Sequence, residues 1–423
     1  MKLIVKPTKK LKGEIQIPAS KSHTIRAIVI ASLAEGTSKI KNSLDSADTK
    51  AAIDGCLAVG AEIEKRDTTL IIKGFNGQPK QPKKELNLLN SGTSINLLTS
   101  VAALGDFPIT LNGDSSLQKR PVQPLLDALN NLGAKADSLN NNNCPPIKIE
   151  GPMKGGTTTI NCKSSQYVSS LLIACPLIKN DTQIKVKNLC ETPYIELTLG
   201  WLDEQKIRYE NKNLSEFKIY GNQKYKPFNK SIPSDWSSAA FPLVAAAITE
   251  SDVTLTGLDI KDSQGDKQII DYLKKMGANI KISENKVRIK GTELKGTALD
   301  LNHTPDALPA VSILACYAKG TTTINNVGHA RIKETDRIKI MKQELSKMGA
   351  DIKEKPDGLI IKHSRLKGAR VNGHHDHRVV MALSLAGLIA DGQTEIGTAE
   401  AIDVTFPSYI KLMKKLNANM EVI

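Results

Sequence analysis

Apolar positions along this chain gather into runs without a polar face, each halted by a turn and followed by a short β-rich stretch. Ile25, Ile28, Val29 and Leu33 belong to one such run, and Val379, Val380, Leu383 and Leu385 to another. A helix that is apolar all round is a buried one. The pattern therefore predicts buried helices near residues 22–34, 93–104, 165–178, 236–249, 305–318 and 377–390. A second helix follows each of these and carries charge, as at Lys274 and Lys275, or at Lys342, Glu344 and Lys347; these helices are expected to face solvent. They end on a Gly-Ala pair or a degenerate form of it: Gly60-Ala61, Gly133-Ala134, Lys206-Ile207, Gly277-Ala278, Gly349-Ala350 and Asn417-Ala418. The spacing is about 70 residues, the mark of an internal repeat. The turns that close the buried helices, such as Glu35-Gly36-Thr37 and Lys319-Gly320-Thr321, keep the same phase. Each copy reads as helix, strand, helix, glycine cap, strand, turn, strand. Six copies, three per half, predict two similar α/β domains meeting near Ser231–Ser234.

Composition narrows the class. At 423 residues the chain exceeds what one core usually holds, which agrees with two domains. Apolar residues at 40% and aromatics at 4% suit an aliphatic α/β interior and exclude a disordered or fibrous chain. The N-terminal stretch has no apolar signal core, and no apolar run is long enough to span a bilayer, so a cytosolic protein without a membrane partner is expected. Cys56, Cys144, Cys162, Cys175, Cys190 and Cys316 lie far apart with no C-x-x-C pair, which suits reduced, buried thiols. The net charge of +14 points to a solvated lysine-rich surface, to nucleic acid or to small anionic substrates. Nucleic acid would call for aromatics interleaved with the basic residues. Six Phe, eight Tyr and two Trp, thinly spread, do not supply them, so no nucleic-acid partner is expected.

Of the ten arginines, Arg26, Arg120, Arg331, Arg337 and Arg378 sit in polar motifs at predicted helix starts or the loops before them. The guanidinium fork suits carboxylate and phosphate recognition. Before each buried helix lies a polar cluster: Ser20–Arg26, Asn90–Thr93, Ser164–Gln166, Ser234–Ser238, Thr304–Asp306 and His375–Arg378. Helix N-termini offer unsatisfied N–H groups and partial positive charge to anions. The plain alternative is capping, and Ser234–Ser238 reads that way. Lys21 and Arg26 read differently: a lysine at a helix start with an arginine one turn later repel, and an anion is needed to offset them. Lys119-Arg120-Pro121 and Arg331–Arg337 are the densest clusters at the outer helices. The histidines near 374–377 have no second ligand cluster, so no metal is expected. The absence of a G-x-x-x-x-G-K-[ST] loop or a dinucleotide G-x-G-x-x-G argues against ATP and NAD as cofactors.

At these residues the chain resembles the 5-enolpyruvylshikimate-3-phosphate synthase family of enolpyruvyl transferases. The resemblance rests on Pro18-Ala19-Ser20-Lys21-Ser22 with Arg26, Asn90–Thr93, Lys119–Pro121, Ser164–Gln166, Pro305–Ala307, Arg331–Arg337, Asp376–Arg378 and Phe406-Pro407, in family order from end to end. It implies two inside-out α/β domains of three βαβαββ units each, residues 18–233 and residues 1–17 plus 234–423, the first strand joining the second domain. It implies transfer of the enolpyruvyl group of phosphoenolpyruvate to the 5-hydroxyl of shikimate 3-phosphate, with release of phosphate, by a cofactor-free monomer. By the same resemblance Lys21, Arg120, Arg337 and Arg378 grip phosphoenolpyruvate, with Asn90 and Gly92 beside it. Ser22, Arg26, Ser164, Ser165, Gln166 and Lys333 hold shikimate 3-phosphate, and His377 lines the site. Asp306 would accept the hydroxyl proton and Glu334 would protonate the methylene carbon, with Lys21 able to share either role. Asn96, Glu191 and Val404 depart from the family's usual Arg, Ser and Lys, and the two missing cations imply a weaker hold on phosphoenolpyruvate. The sister family acting on UDP-N-acetylglucosamine is disfavoured, because Lys21-Ser22 replaces its Lys-Asn pair and no cysteine lies near Arg120.

Overall fold

In the computed structural model, which describes residues 1–423, buried helices form where the apolar runs lie. The contacts divide the chain into two units, Ala19–Ile232 and Met1–Pro18 with Pro233–Ile423, and each has its own core. In the first unit α1 (Lys21–Leu33), α3 (Gly92–Ala102) and α5 (Ser165–Ala174) are the buried helices, and α2 (Ala47–Ala58), α4 (Gln123–Asn131) and α6 (Thr192–Glu204) alternate with them. In the second unit α7 (Trp236–Ala247), α9 (Leu308–Tyr317) and α11 (His377–Ile389) are buried, each followed in turn by α8 (Ile269–Lys275), α10 (Arg337–Lys347) and α12 (Tyr409–Lys415). No helix is long and apolar enough to cross a membrane.

Three four-stranded sheets complete each unit, all with one topology. In the sheet of Leu86–Asn87, Pro108–Asn112, Ile147–Glu150 and Lys135–Ser138, the first pair is parallel, with Leu86 opposite Leu111. The next two pairs are antiparallel, with Glu150 opposite both Pro108 and Lys135. Apolar residues alternate inward along these strands, as in the buried Ile147 and Ile149.

Residues 1–17, expected as one strand, hold two strands in two different sheets. Lys12–Gln16 pairs in parallel with Asp252–Thr256. Lys2–Val5 lies antiparallel between Thr394–Gly397 and Met420–Val422. The sheet of Thr37–Lys41 takes its parallel edge from Asn229–Ser231, the far end of the same unit. Such pairings join chain ends, so local periodicity cannot reveal them.

Two local expectations are corrected. The helix expected from residue 305 begins with a 3₁₀ turn, Pro305–Ala307, and becomes α-helical at Leu308. Pro309 lacks an N–H and cannot bond to the Pro305 carbonyl, which receives the Leu308 N–H instead. Glu344, grouped with the solvent-facing charges of α10, is fully buried. Its carboxylate accepts from Lys347 Nζ at 2.7 and 2.8 Å and from the Asn372 N–H at 2.9 Å, and it meets His374 Nε2 at 2.9 Å. Burial raises the Glu344 carboxyl, but these partners outweigh it and hold it below its usual value. Its contribution to stability is therefore complete above the ordinary carboxylate pKa of about 4.3 and lost as pH falls through the lower folded value. Glu344→Gln should cost about 1–3 kcal/mol in urea unfolding at neutral pH. The gap to the parent should close on acidification.

Candidate functional site

The buried helices deliver their N-termini as built polar corners. Ser20, Ser91, Ser164, Asp235 and Asp376 cap α1, α3, α5, α7 and α11 through the side chain, the first three in one unit and the last two in the other. Asp235 accepts from Ser237 N and from Ser238 Oγ, which is a capping role.

In the unit Ala19–Ile232, Lys21 Nζ lies 3.0 Å from Asp48 Oδ2, both largely buried. Asp48 is thus the anion that offsets Lys21, and it is internal. Arg26 is 1% exposed and ties three helices together. Its Nε donates to Thr198 Oγ1 at 2.8 Å, Nη1 to the Ser22 carbonyl at 3.1 Å, and Nη2 to Ser169 Oγ at 3.3 Å and the Tyr194 carbonyl at 3.2 Å. Burial among these neutral oxygens pushes its pKa down to about 10, and it is cationic at neutral pH. Repulsion from Lys21 is therefore met by pairing one cation and surrounding the other with neutral acceptors.

Arg120 is aimed by a relay of side chains. Asn90 Nδ2 donates to Asp114 Oδ2 at 2.8 Å, and Asn90 Oδ1 accepts from Arg120 Nη2 at 2.7 Å. Asp114 is itself fixed by the N–H groups of Ser116 and Leu117. Gly92 opens α3 beside this guanidinium: a Cβ there would fall 2.8 Å from Arg120 Nη1 and 3.6 Å from Gln166 Oε1. Asn96 bridges Gly92 O and Gln166 Oε1 at 2.8 and 2.7 Å, so it links α3 to α5. Ser164 caps α5 by accepting from Gln166 N. Ser165 is engaged by Glu191, whose Oε2 accepts from its N–H at 3.1 Å and its Oγ at 2.9 Å. Glu191 is 2% exposed and adopts a left-handed backbone, φ 49°.

In the other unit the buried Arg337 is the hub. Its Nε donates to Asp376 Oδ2 at 2.8 Å, Nη1 to Asp306 Oδ1 at 2.6 Å, and Nη2 to Glu334 Oε2 at 2.6 Å and Asp376 Oδ1 at 3.3 Å. Arg378 Nη2 meets the other Asp306 oxygen at 3.1 Å. Burial works against the Arg337 charge, yet Asp376, Glu334 and Asp306 raise its pKa well above the ordinary value. The expected acid, the expected base and two expected cations thus form one network, drawn from three stretches of chain. Lys333 lies in the loop just before Glu334, and His377 is buried at the first position of α11. Arg331 is engaged structurally, by Asp336, Glu354 and the carbonyls of Pro356 and Lys355.

Sequence reasoning gave no role to three carboxylates: Asp48, Asp114 and Asp376, the last quoted only as part of a motif. Each carried a faint signal. Asp48 lies in the Ser46–Thr49 capping pattern, Asp114 follows Asn112-Gly113, and Asp376 sits at the cap of α11. None could be linked to its cation without the fold.

The sequence profile of EPSP synthase (3-phosphoshikimate 1-carboxyvinyltransferase) matches residues 5–413. A 3-phosphoshikimate 1-carboxyvinyltransferase of Acetivibrio thermocellus is 49% identical over 411 residues, covering 97% of both chains. Another, of Ruminiclostridium cellulolyticum, is 46% identical over 413 residues and covers 98% of both. A solved EPSP synthase of Acinetobacter baumannii superposes with a TM-score of 0.83 at 30% identity, over 99% of each chain. Sequence and fold agree along nearly the whole length, and the chain belongs to the EPSP synthase family of 3-phosphoshikimate 1-carboxyvinyltransferases.

Proposed function

We infer that this chain performs its family's reaction: the 5-hydroxyl of shikimate 3-phosphate adds to C2 of phosphoenolpyruvate, and phosphate is then eliminated. The observation that best supports the residue roles is the single guanidinium of Arg337 holding Asp306, Glu334 and Asp376 together. Addition needs a base for the hydroxyl and an acid for the methylene carbon. Asp306 takes the hydroxyl proton; Glu334, a carboxylate in its ion pair with Arg337, takes a proton from solvent as that pair is exchanged and delivers it to C3; elimination returns a C3 proton to a base as the C–O bond to phosphate breaks. The sequence is redox-neutral and carries its own leaving group, so the chemistry calls for no cofactor. Lys21, Arg120, Arg337 and Arg378 neutralise phosphoenolpyruvate, for which Lys21, Arg337 and Arg378 must each exchange part of their carboxylate contacts. Ser22, Ser164, Ser165, Gln166 and Lys333 bind shikimate 3-phosphate. Arg26 contributes at most through Nη1, which would have to share its bond to the Ser22 carbonyl, because Nε and Nη2 hold α5 and α6. Asn90 and His377 complete the set, Asn90 by aiming Arg120. We read the chain as two three-repeat domains, 18–233 and 1–17 plus 234–423, a reading that the division of contacts at Pro18 and Pro233 supports. The reading extends to a cytosolic monomer, since every role falls on this one chain and its buried thiols suit a reducing compartment.

The test is phosphate release. It should require shikimate 3-phosphate and phosphoenolpyruvate together, in the presence of chelator and without nucleotide. Release with UDP-N-acetylglucosamine in place of shikimate 3-phosphate, or from phosphoenolpyruvate alone, would refute the reading. A finer prediction concerns Gly92. A methyl group there collides with Arg120 Nη1. Gly92→Ala should raise KM for phosphoenolpyruvate by about ten- to hundredfold, displacement of a positioned group by about an ångström being enough. KM for shikimate 3-phosphate should stay nearly constant in the same assay.

A further inference from the structure

Beside the shikimate-3-phosphate motif lies a feature that the reaction does not use. Cys162 and Cys190 place their sulfurs 3.7 Å apart, and the Cys190 Sγ lies 2.8 Å from the Cys162 carbonyl, so its one proton serves either neighbour. They stand just past the ends of two parallel strands, Gly156–Asn161 and Thr182–Lys187, and the Cys162 N–H continues that ladder to the Lys187 carbonyl. Opposed sulfurs at this distance need to approach by only about 1.7 Å to reach a disulfide bond length of about 2.04 Å. The remaining thiols are unlike this pair. Burial pushes Cys56, Cys175 and Cys316 up to about 12 and also raises Cys144. Cys162 is held below its ordinary value, chiefly by its hydrogen bond with Cys190, and the thiolate is the form that reacts.

The flanking residues give the pair a consequence. Ser164 and Ser165 follow Cys162 in the chain, Glu191 follows Cys190, and the Glu191 carboxylate takes both the N–H and the hydroxyl of Ser165. Those donors belong to the set that binds shikimate 3-phosphate under the proposed function. An anionic substrate must displace Glu191 to reach them.

We propose that Cys162 and Cys190 form a reversible disulfide that locks Glu191 onto Ser165 and so weakens binding of shikimate 3-phosphate. The effect on binding rests on the role given to Ser165; the disulfide itself does not. With a peroxide as oxidant, the Cys162 thiolate attacks one oxygen, the O–O bond breaks and hydroxide leaves, taking a proton to become water. Cys190 then attacks the resulting sulfenic acid, the S–O bond breaks and a second water leaves. Two thiols lose two electrons in all and the peroxide gains them. A dithiol reverses the reaction by exchange.

The experiment treats the full-length protein with hydrogen peroxide, then maps peptides under non-reducing conditions and measures kinetics before and after dithiothreitol. A linked Cys162–Cys190 peptide should appear. KM for shikimate 3-phosphate should rise about fivefold or more with kcat little changed, the signature of binding lost equally from ground and transition states. Dithiothreitol should restore the original KM. Cys190→Ser and Cys162→Ala should show neither linkage nor the KM change, which separates the effect from methionine oxidation. Failure to find the linked peptide, or oxidation of either sulfur without linkage, overturns the proposal. Linkage without a change in KM overturns its control of the site. Should the reduced protein not turn over the two substrates at all, the functional reading fails, and the peptide map still decides the disulfide.

Discussion

Asp306→Asn should lower kcat by about a hundred- to ten-thousandfold, the range by which a positioned general base accelerates proton transfer. The asparagine keeps the shape of the side chain and loses the ability to take a proton. Both oxygens of Asp306 receive guanidinium N–H groups, Arg337 Nη1 on one side and Arg378 Nη2 on the other. In the variant one of those donors meets an amide NH₂, so some loss of stability accompanies the loss of rate. Urea unfolding run beside the steady-state assay separates the two. A kcat within threefold of the parent, in a folded variant, would move the base to another group, with Lys21 the first to test.

Arg337→Met should have the largest effect on stability, about 3–5 kcal/mol, because removing one partner of a buried ion pair strands the other charge. Here three carboxylates receive the one guanidinium, Asp306 sharing it with Arg378, and Asp376 among them is fully buried and also caps α11. Methionine fills comparable volume, so the loss reads the charge network and not a cavity. Arg337→Lys should fall between, since an ammonium lacks the planar fork that reaches Asp376, Asp306 and Glu334 from fixed directions. Protonated carboxyls need no counter-charge, so the deficit in Arg337→Met should shrink as pH falls through the carboxylate range. A deficit below about 1 kcal/mol, independent of pH, would show that the network is not held by charge.

Much of this protein was legible in its residues because the signals are local. A buried helix must be apolar around its circumference, so Ile25–Leu33 or Val379–Leu388 declares itself, and the repeat follows from counting such runs. The cations at the helix starts were legible for the same reason: Lys21, Arg120, Arg337 and Arg378 occur in short motifs whose composition exceeds what capping needs. Arginines so placed, with serines and asparagine at neighbouring helix starts, point to anionic substrates before any fold is known.

What each cation touches was not legible. Asp48 is 27 positions from Lys21 along the chain, Asp376 is 39 from Arg337, and Glu191 is 26 from Ser165. A carboxylate on a helix cap looks alike in sequence whether it faces water or a guanidinium. Glu344 shows the same ambiguity: its neighbours are charged, and only the packing of α10 places it inside.

The sequence alone determined the elements, their sixfold order and the cation-bearing polar motifs at the helix starts, because helical periodicity and motif composition are properties of neighbouring residues. Tertiary structure decided which charges meet, how residues 2–5 and 12–16 enter two separate sheets, and that two distant cysteines face each other. Those outcomes depend on distances between segments far apart in the chain, and such distances exist only once the hydrophobic cores have closed.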